Sequence, residues 1–200
     1  RTGGDTLVLG AVQTAGSVGT LAGGAIVAIW GGMKKKIHGV LFGMALGGIG
    51  SVLLGIGHNV AVWWAGSFIS SFMAVSIVNS SNQAIWQSKV PPSMQGRVFA
   101  TRRMLAQGMI PVATLSSGFL ADHFFEPLLS SGSATAETLG RIVGTGVGAG
   151  MGLMLVLGGL IRIGIGLGGY AIPSVRNVET ALPDHDEMPP ASAAVVEAES

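Results

Sequence analysis

Two hundred residues are enough for a whole domain, but only 10% are charged, 48% are hydrophobic and the mean hydropathy is +0.59. A soluble domain is about a quarter charged, so this chain is built for another solvent. A net charge of +1 with no basic, aromatic-interleaved stripe excludes nucleic acid as a partner, and the lack of cysteine excludes disulfides, thiolate metal sites and palmitoylation.

Five apolar runs follow in chain order. Thr6–Trp30 has no charged residue, residues 37–57 hold only His38, and residues 60–84 are again uncharged. Residues 104–121 lie between Arg103 and Asp122, and residues 143–171 contain one charge, Arg162. A helix needs about 20 apolar residues to cross a hydrocarbon core, and all five runs reach or approach that length. Buried helices of a soluble core rarely run this long without a polar face. The expected fold class is therefore an all-α polytopic membrane protein with five transmembrane helices. They should span about residues 6–30, 37–57, 60–84, 104–121 and 148–170, making residues 1–172 one bundle. Residues 173–200, rich in Pro, Ala and acids, read as a disordered cytoplasmic tail. The start at Arg1, with no leader pattern, reads as a piece of something longer.

Thirty-three glycines suit close helix contact in a membrane better than they suit soluble helices. Gly19/Gly23, Gly43/Gly47 and Gly148/Gly152 each have the small-x-x-x-small spacing of such contacts. Alternate connectors are basic. Lys34, Lys35 and Lys36 follow the first run, and Lys89, Arg97, Arg102 and Arg103 follow the third, whereas the other two connectors carry only Arg141. The positive-inside rule then puts the N-terminus outside and the C-terminus in the cytoplasm. In "QAIWQSKVPPSMQGRVFATRR", Pro91 and Pro92 should end one helix, and residues 93–103 should restart another that feeds the fourth run. Residues 131–138, "SGSATAET", read as a polar outer loop.

Polar residues inside the runs are the candidate working groups. Ser76, Asn79, Ser80 and Gln83 recur at i, i+3, i+4 and i+7 and so share one helix face. That face either lines a wet pathway or supplies interhelical hydrogen bonds; the sequence leaves both open. Gln107 and Thr114 form a second pair, one heptad apart, and Pro111 between them should kink the helix. Arg162 is the one charge deep in a run, and the run is long enough for its side chain to snorkel inward, which is the expectation. No Asp or Glu lies inside any run, so a carboxylate for proton coupling would either lie in a part of the protein outside these residues or be Asp122 at an outer end. The Gly164–Gly169 string matches a dinucleotide fingerprint in form only, since no strand precedes it. "DHFFE" reads as an interfacial turn rather than a metal site. No nucleophile–base–acid set is present, so neither an enzyme nor a cofactor is expected.

The segment "NQAIWQSKVPPSMQGRVFATRRMLAQGMIPVATLSSGFLADHFFEPLL", residues 82–129, resembles the C-terminal half of major facilitator superfamily exporters. The nearest branch is the macrolide-efflux and siderophore-export group. Its "Val-Pro-x-x-x-Gln-Gly-Arg-Val" loop corresponds to residues 90–98, with Gln95, Gly96 and Arg97, and its "Gly-x-Leu-Ala-Asp" turn to residues 118–122. "WGGMKKKIHGVLFG" and "GYAIPSVRNVETALPD" resemble two further segments of that half. The resemblance implies helices eight to twelve of a twelve-helix transporter in a bacterial cytoplasmic membrane. Its partners would be the lipid bilayer, a small amphipathic substrate and the missing N-terminal helices. The basic loop residues would then act at the cytoplasmic gate. The family's loop also carries an Asp; "GGMKKKIHG" has the bases and no acid, which leaves a charge-pair latch there without its negative partner. A split membrane subunit with only a structural role is the alternative.

Overall fold

The computed structural model describes residues 5–130, 134–144, 146 and 148–181, and every regular element among them is helical. Five helices are long and apolar enough to cross a membrane: α1 (Thr6–Trp30), α2 (Lys36–Ile56), α3 (Val60–Lys89), α4 (Pro92–Ser130) and, after a shorter α5 (Ala134–Val143), α6 (Ala149–Ala171). Two single turns, α7 (Pro173–Arg176) and α8 (Val178–Ala181), close the described chain.

Helix ends are set by local chemistry. The Asp5 carboxylate accepts from the Leu7 amide at 2.8 Å and caps α1, which Gly31 ends at φ 77°. Such a positive φ suits glycine at a helix C-terminus. Asn59 caps α3 through the Val62 amide at 2.9 Å, and the Trp63 indole donates to the Gly57 carbonyl at 2.9 Å, closing the α2–α3 corner.

Helices α3 and α4 outrun the apolar segments expected from the sequence, because their backbone bonding continues into polar residues where hydropathy has already ended. Each contains a π-helical stretch, Phe72–Val78 in α3 and Ala121–Phe125 in α4. α4 stays helical through Pro111. Residues 173–181, expected to be disordered, form α7 and α8; residues 182–200 lie outside the described residues. The expected polar loop is helical from Ala134 on. Ala136, Gly140 and Val143 are buried along one face of α5, and Glu137 and Arg141 pair at 2.8 Å on the other.

Glycine brings the backbones together. A methyl built on Gly48 would lie 2.6 Å from the Gly159 carbonyl oxygen, one on Gly55 2.5 Å from that of Gly152, and one on Gly166 2.7 Å from that of Leu41. Helices α2 and α6 therefore run antiparallel along a seam on which only hydrogen fits. α1 and α3 run parallel, where a methyl on Gly19 would lie 2.6 Å from the Phe68 carbonyl oxygen. Of the three spaced glycine pairs, Gly148 serves differently: with φ 84° it is the turn that starts α6. Leu129, Val143, Ala149, Leu153 and Val156 form the apolar core at the Ala149 end of α6.

Both basic connectors and α7–α8 gather at the opposite end. There the Lys89 ammonium donates to the Glu179 carbonyl at 2.8 Å, Tyr170 stacks on His38, and the Glu179 carboxylate accepts from the Ile37 amide. The Pro92–Leu120 part of α4 stands apart from this bundle, whereas its last turns, with Ala121 and Leu129 buried, pack against α6. Only 6% of the α4 apolar window is buried, against 44% for α2, and Met104, Leu115 and Phe119 are largely exposed.

Candidate functional site

The residue of most consequence is Arg162. It lies thirteen residues from Ala149 and nine from Ala171, about 20 Å and about 14 Å from the two ends of α6. The glycine seam sets Gly166 beside Leu41 and Gly159 beside Gly48, so Arg162 is level with Ala45. Its guanidinium donates from Nη1 to the Ser51 hydroxyl at 3.1 Å, about 9 Å further along α2 than that level. The side chain thus points toward the Ala149 end, away from the basic end to which snorkelling would have carried it. Two causes act together. A helical Cα–Cβ bond tilts toward the helix N-terminus, and Gly47 leaves room for the guanidinium: a methyl there would lie 2.7 Å from Nη2.

Ser51 is fully used. It donates to the Gly47 carbonyl at 3.2 Å, accepts from Arg162 and lies 3.4 Å from the Ser70 hydroxyl of α3. One proton and two lone pairs are all a hydroxyl has. Arg162 has five N–H donors, and among the described residues one finds an acceptor; no acidic side chain there pairs with it.

The structure divides the expected polar face of α3. Ser76 is buried and donates to the Thr20 carbonyl of α1 at 2.9 Å, and Ser67 donates to that of Val12 at 2.8 Å. Ser76 is thus committed to an interhelical bond. Asn79 is exposed, and Ser80 donates to the Ile77 carbonyl of its own helix at 3.2 Å. The π-helical stretch that includes Ser76 and ends at Val78 breaks the regular 3.6-residue phase on which the common face depends. Gln83 instead joins Phe99, Arg102, Arg103 and Ala106 around a crevice of about 380 Å³ where α3 and α4 diverge. On the other side of that fork, Arg97 and Arg102 line an apolar crevice with Trp86, and the Arg102 guanidinium sits 5.4 Å from the Trp86 ring. Gln95 closes the connector by donating to the Val90 and Gln87 carbonyls at 2.9 and 3.2 Å, while Gly96 faces open space.

Gln107, Pro111 and Thr114 are exposed on α4, far from Arg162 in connectivity and unjoined to it. Thr114 bonds the Ile110 carbonyl at 2.9 Å, and Pro111, lacking an N–H, leaves the Gln107 carbonyl without its helical donor. Lys36 donates to the Gly31 carbonyl at 3.3 Å, and Lys34 and Lys35 are exposed. Asp122 is exposed as well. The carboxylate with a built role is Glu126, which sequence reasoning missed: it accepts from the Gly148 and Gly150 amides at 2.9 and 3.0 Å and caps α6. Glu179 likewise caps the first turn of α2, through the Ile37 amide. No protein-family model, no curated protein and no solved structure matches the chain.

Proposed function

We propose that this chain is part of a secondary active transporter that exports a small amphipathic molecule by alternating access. The observation that carries the reading is Arg162, a half-buried charge far from both ends of an apolar helix with no counter-charge among the described residues, since ionisable groups at that depth mark substrate or ion pathways. The exposure of the Pro92–Leu120 part of α4, with Gln107, Thr114 and a broad apolar surface covered by no other described helix, supports the further view that more helices complete the assembly. The resemblance to major facilitator exporters supplies the mechanism, in which one helical half rocks against the other around a central site. In this reading the basic end faces the cytoplasm. A specific observation favours the alternative of a structural subunit: Ser76, a leading candidate for a pathway wall, is spent on holding α1.

The test is efflux from proteoliposomes containing this chain alone, or this chain co-expressed with a segment supplying the seven preceding spans of an exporter of that branch. Saturable, gradient-driven efflux is expected only in the second case. Transport by the chain alone would overturn the reading, and so would its absence from an assembly shown to be intact.

A further inference from the structure

Arg162 has more donors than it has acceptors among the described residues. Its Nη1 is engaged by Ser51, and Nη2 faces Gly47. No acceptor among the described residues meets Nε or Nη2, so the Nε–Nη2 edge of the guanidinium presents two parallel N–H groups. Ser51 cannot fill that need, because its proton goes to Gly47 and its lone pairs are taken. A cation with donors left over in a low-dielectric setting requires an anion with two acceptors in one plane.

We propose that Arg162, positioned by Gly47, Ser51 and Ser70, is a binding site for the carboxylate of an amphipathic small molecule. This deepens the transport reading and rests on it for the ligand's route, though not for binding itself. Three features select the chemistry. The free edge matches the two oxygens of a carboxylate, which takes such an edge bidentately. One positive charge is neutralised by one negative charge, whereas a phosphate dianion would leave net charge among apolar helices. The guanidinium, carried toward Ser51, still lies about 11 Å from the Ala149 end of α6 and further from the other, so a ligand reaching it needs an apolar body as well as its head. Ser51, braced by Ser70, is a positioning residue: it holds Nη1 and leaves Nε and Nη2 without an acceptor among the described residues.

The experiment uses the whole chain in phosphatidylcholine nanodiscs, with dodecanoate as probe and dodecanol as its uncharged counterpart. Side-chain ¹⁵N resonances of arginine are followed, and that of Arg162 is assigned by its loss in Arg162→Lys. Dodecanoate should shift the Arg162 Nε signal saturably and dodecanol should not. Arg162→Gln should weaken dodecanoate binding at least tenfold, and Gly47→Ala, which keeps the charge and displaces the guanidinium, should weaken it less. If Arg162→Gln does not fold, the wild-type titration and Gly47→Ala still decide. Equal binding of acid and alcohol, an unmoved Arg162 signal or undiminished binding in Gly47→Ala would each overturn the site. Failed efflux with intact dodecanoate binding would count against the transport reading alone.

Discussion

Removing the Glu126 carboxylate tests how α6 is anchored. Its two oxygens take the Gly148 and Gly150 amides at 2.9 and 3.0 Å, and Gly148 has no side chain with which to cap the helix itself. A lost cap costs about 1–2 kcal/mol, and the lost charge at the positive end of the helix dipole adds about 0.3–1 kcal/mol. Glu126→Ala should therefore destabilise the first turn of α6 by about 1.3–3 kcal/mol. Glu126→Gln keeps one acceptor and should cost roughly half as much. Amide hydrogen exchange reads this locally: exchange at Gly148 and Gly150 should quicken about 10- to 150-fold in Glu126→Ala, at about 1.4 kcal/mol per tenfold. A methyl on Gly150 would lie 2.7 Å from Glu126 Oε2 and 2.9 Å from its backbone nitrogen, so Gly150→Ala displaces the same cap. The two changes should then combine sub-additively, as neighbours sharing one interaction do. Unchanged exchange at both glycines in Glu126→Ala, or full additivity with Gly150→Ala, would refute the capping argument.

Along the α2–α6 seam, Gly48→Ala and Gly159→Ala should each cost about 1–3 kcal/mol in detergent unfolding, because the added methyl meets backbone that cannot rotate away. Gly158→Ala and Gly164→Ala, which open onto empty space, should be neutral or stabilising by up to about 1 kcal/mol; equal losses at all four positions would dissolve the seam. At the basic end, Glu179→Ala should free the first turn of α2 and raise exchange at the Ile37 amide about tenfold, and unaltered protection there would remove the C-terminal segment from the account.

The apolar runs were legible because hydropathy reports the bilayer directly, and α1 falls on the residues its run indicates. Hydropathy does not report where helical bonding stops, so the polar ends of α3 and α4 past residues 84 and 121 read as connectors, whereas the helical start of α4 at residues 93–103 was legible from the prolines before it. α5 was hidden by its polar start, although Ala136, Gly140 and Val143 already carry a helical period. For glycine, spacing of four drew attention, while the α2–α6 contact uses spacing of seven: Gly152, Gly159 and Gly166 against Gly55, Gly48 and Leu41. That repeat was present to be found. The Glu126 and Glu179 caps were not, since each joins residues brought together only by tertiary structure, as does the meeting of Arg162 with Ser51.

The seven-residue beat of that seam dictates a handedness. A straight helix of 3.6 residues per turn falls about 20° out of phase with each heptad, so contacts repeating every seven residues are kept only if the two helices coil around each other left-handedly. Three successive contacts, over about 21 Å of axis, wind α2 and α6 into a two-stranded rope whose core is backbone. Turning either strand about its own axis would lift all three contacts together. Any internal motion must therefore carry α2 and α6 as one body and leave relative movement to the Pro92–Leu120 part of α4, which lies outside the rope.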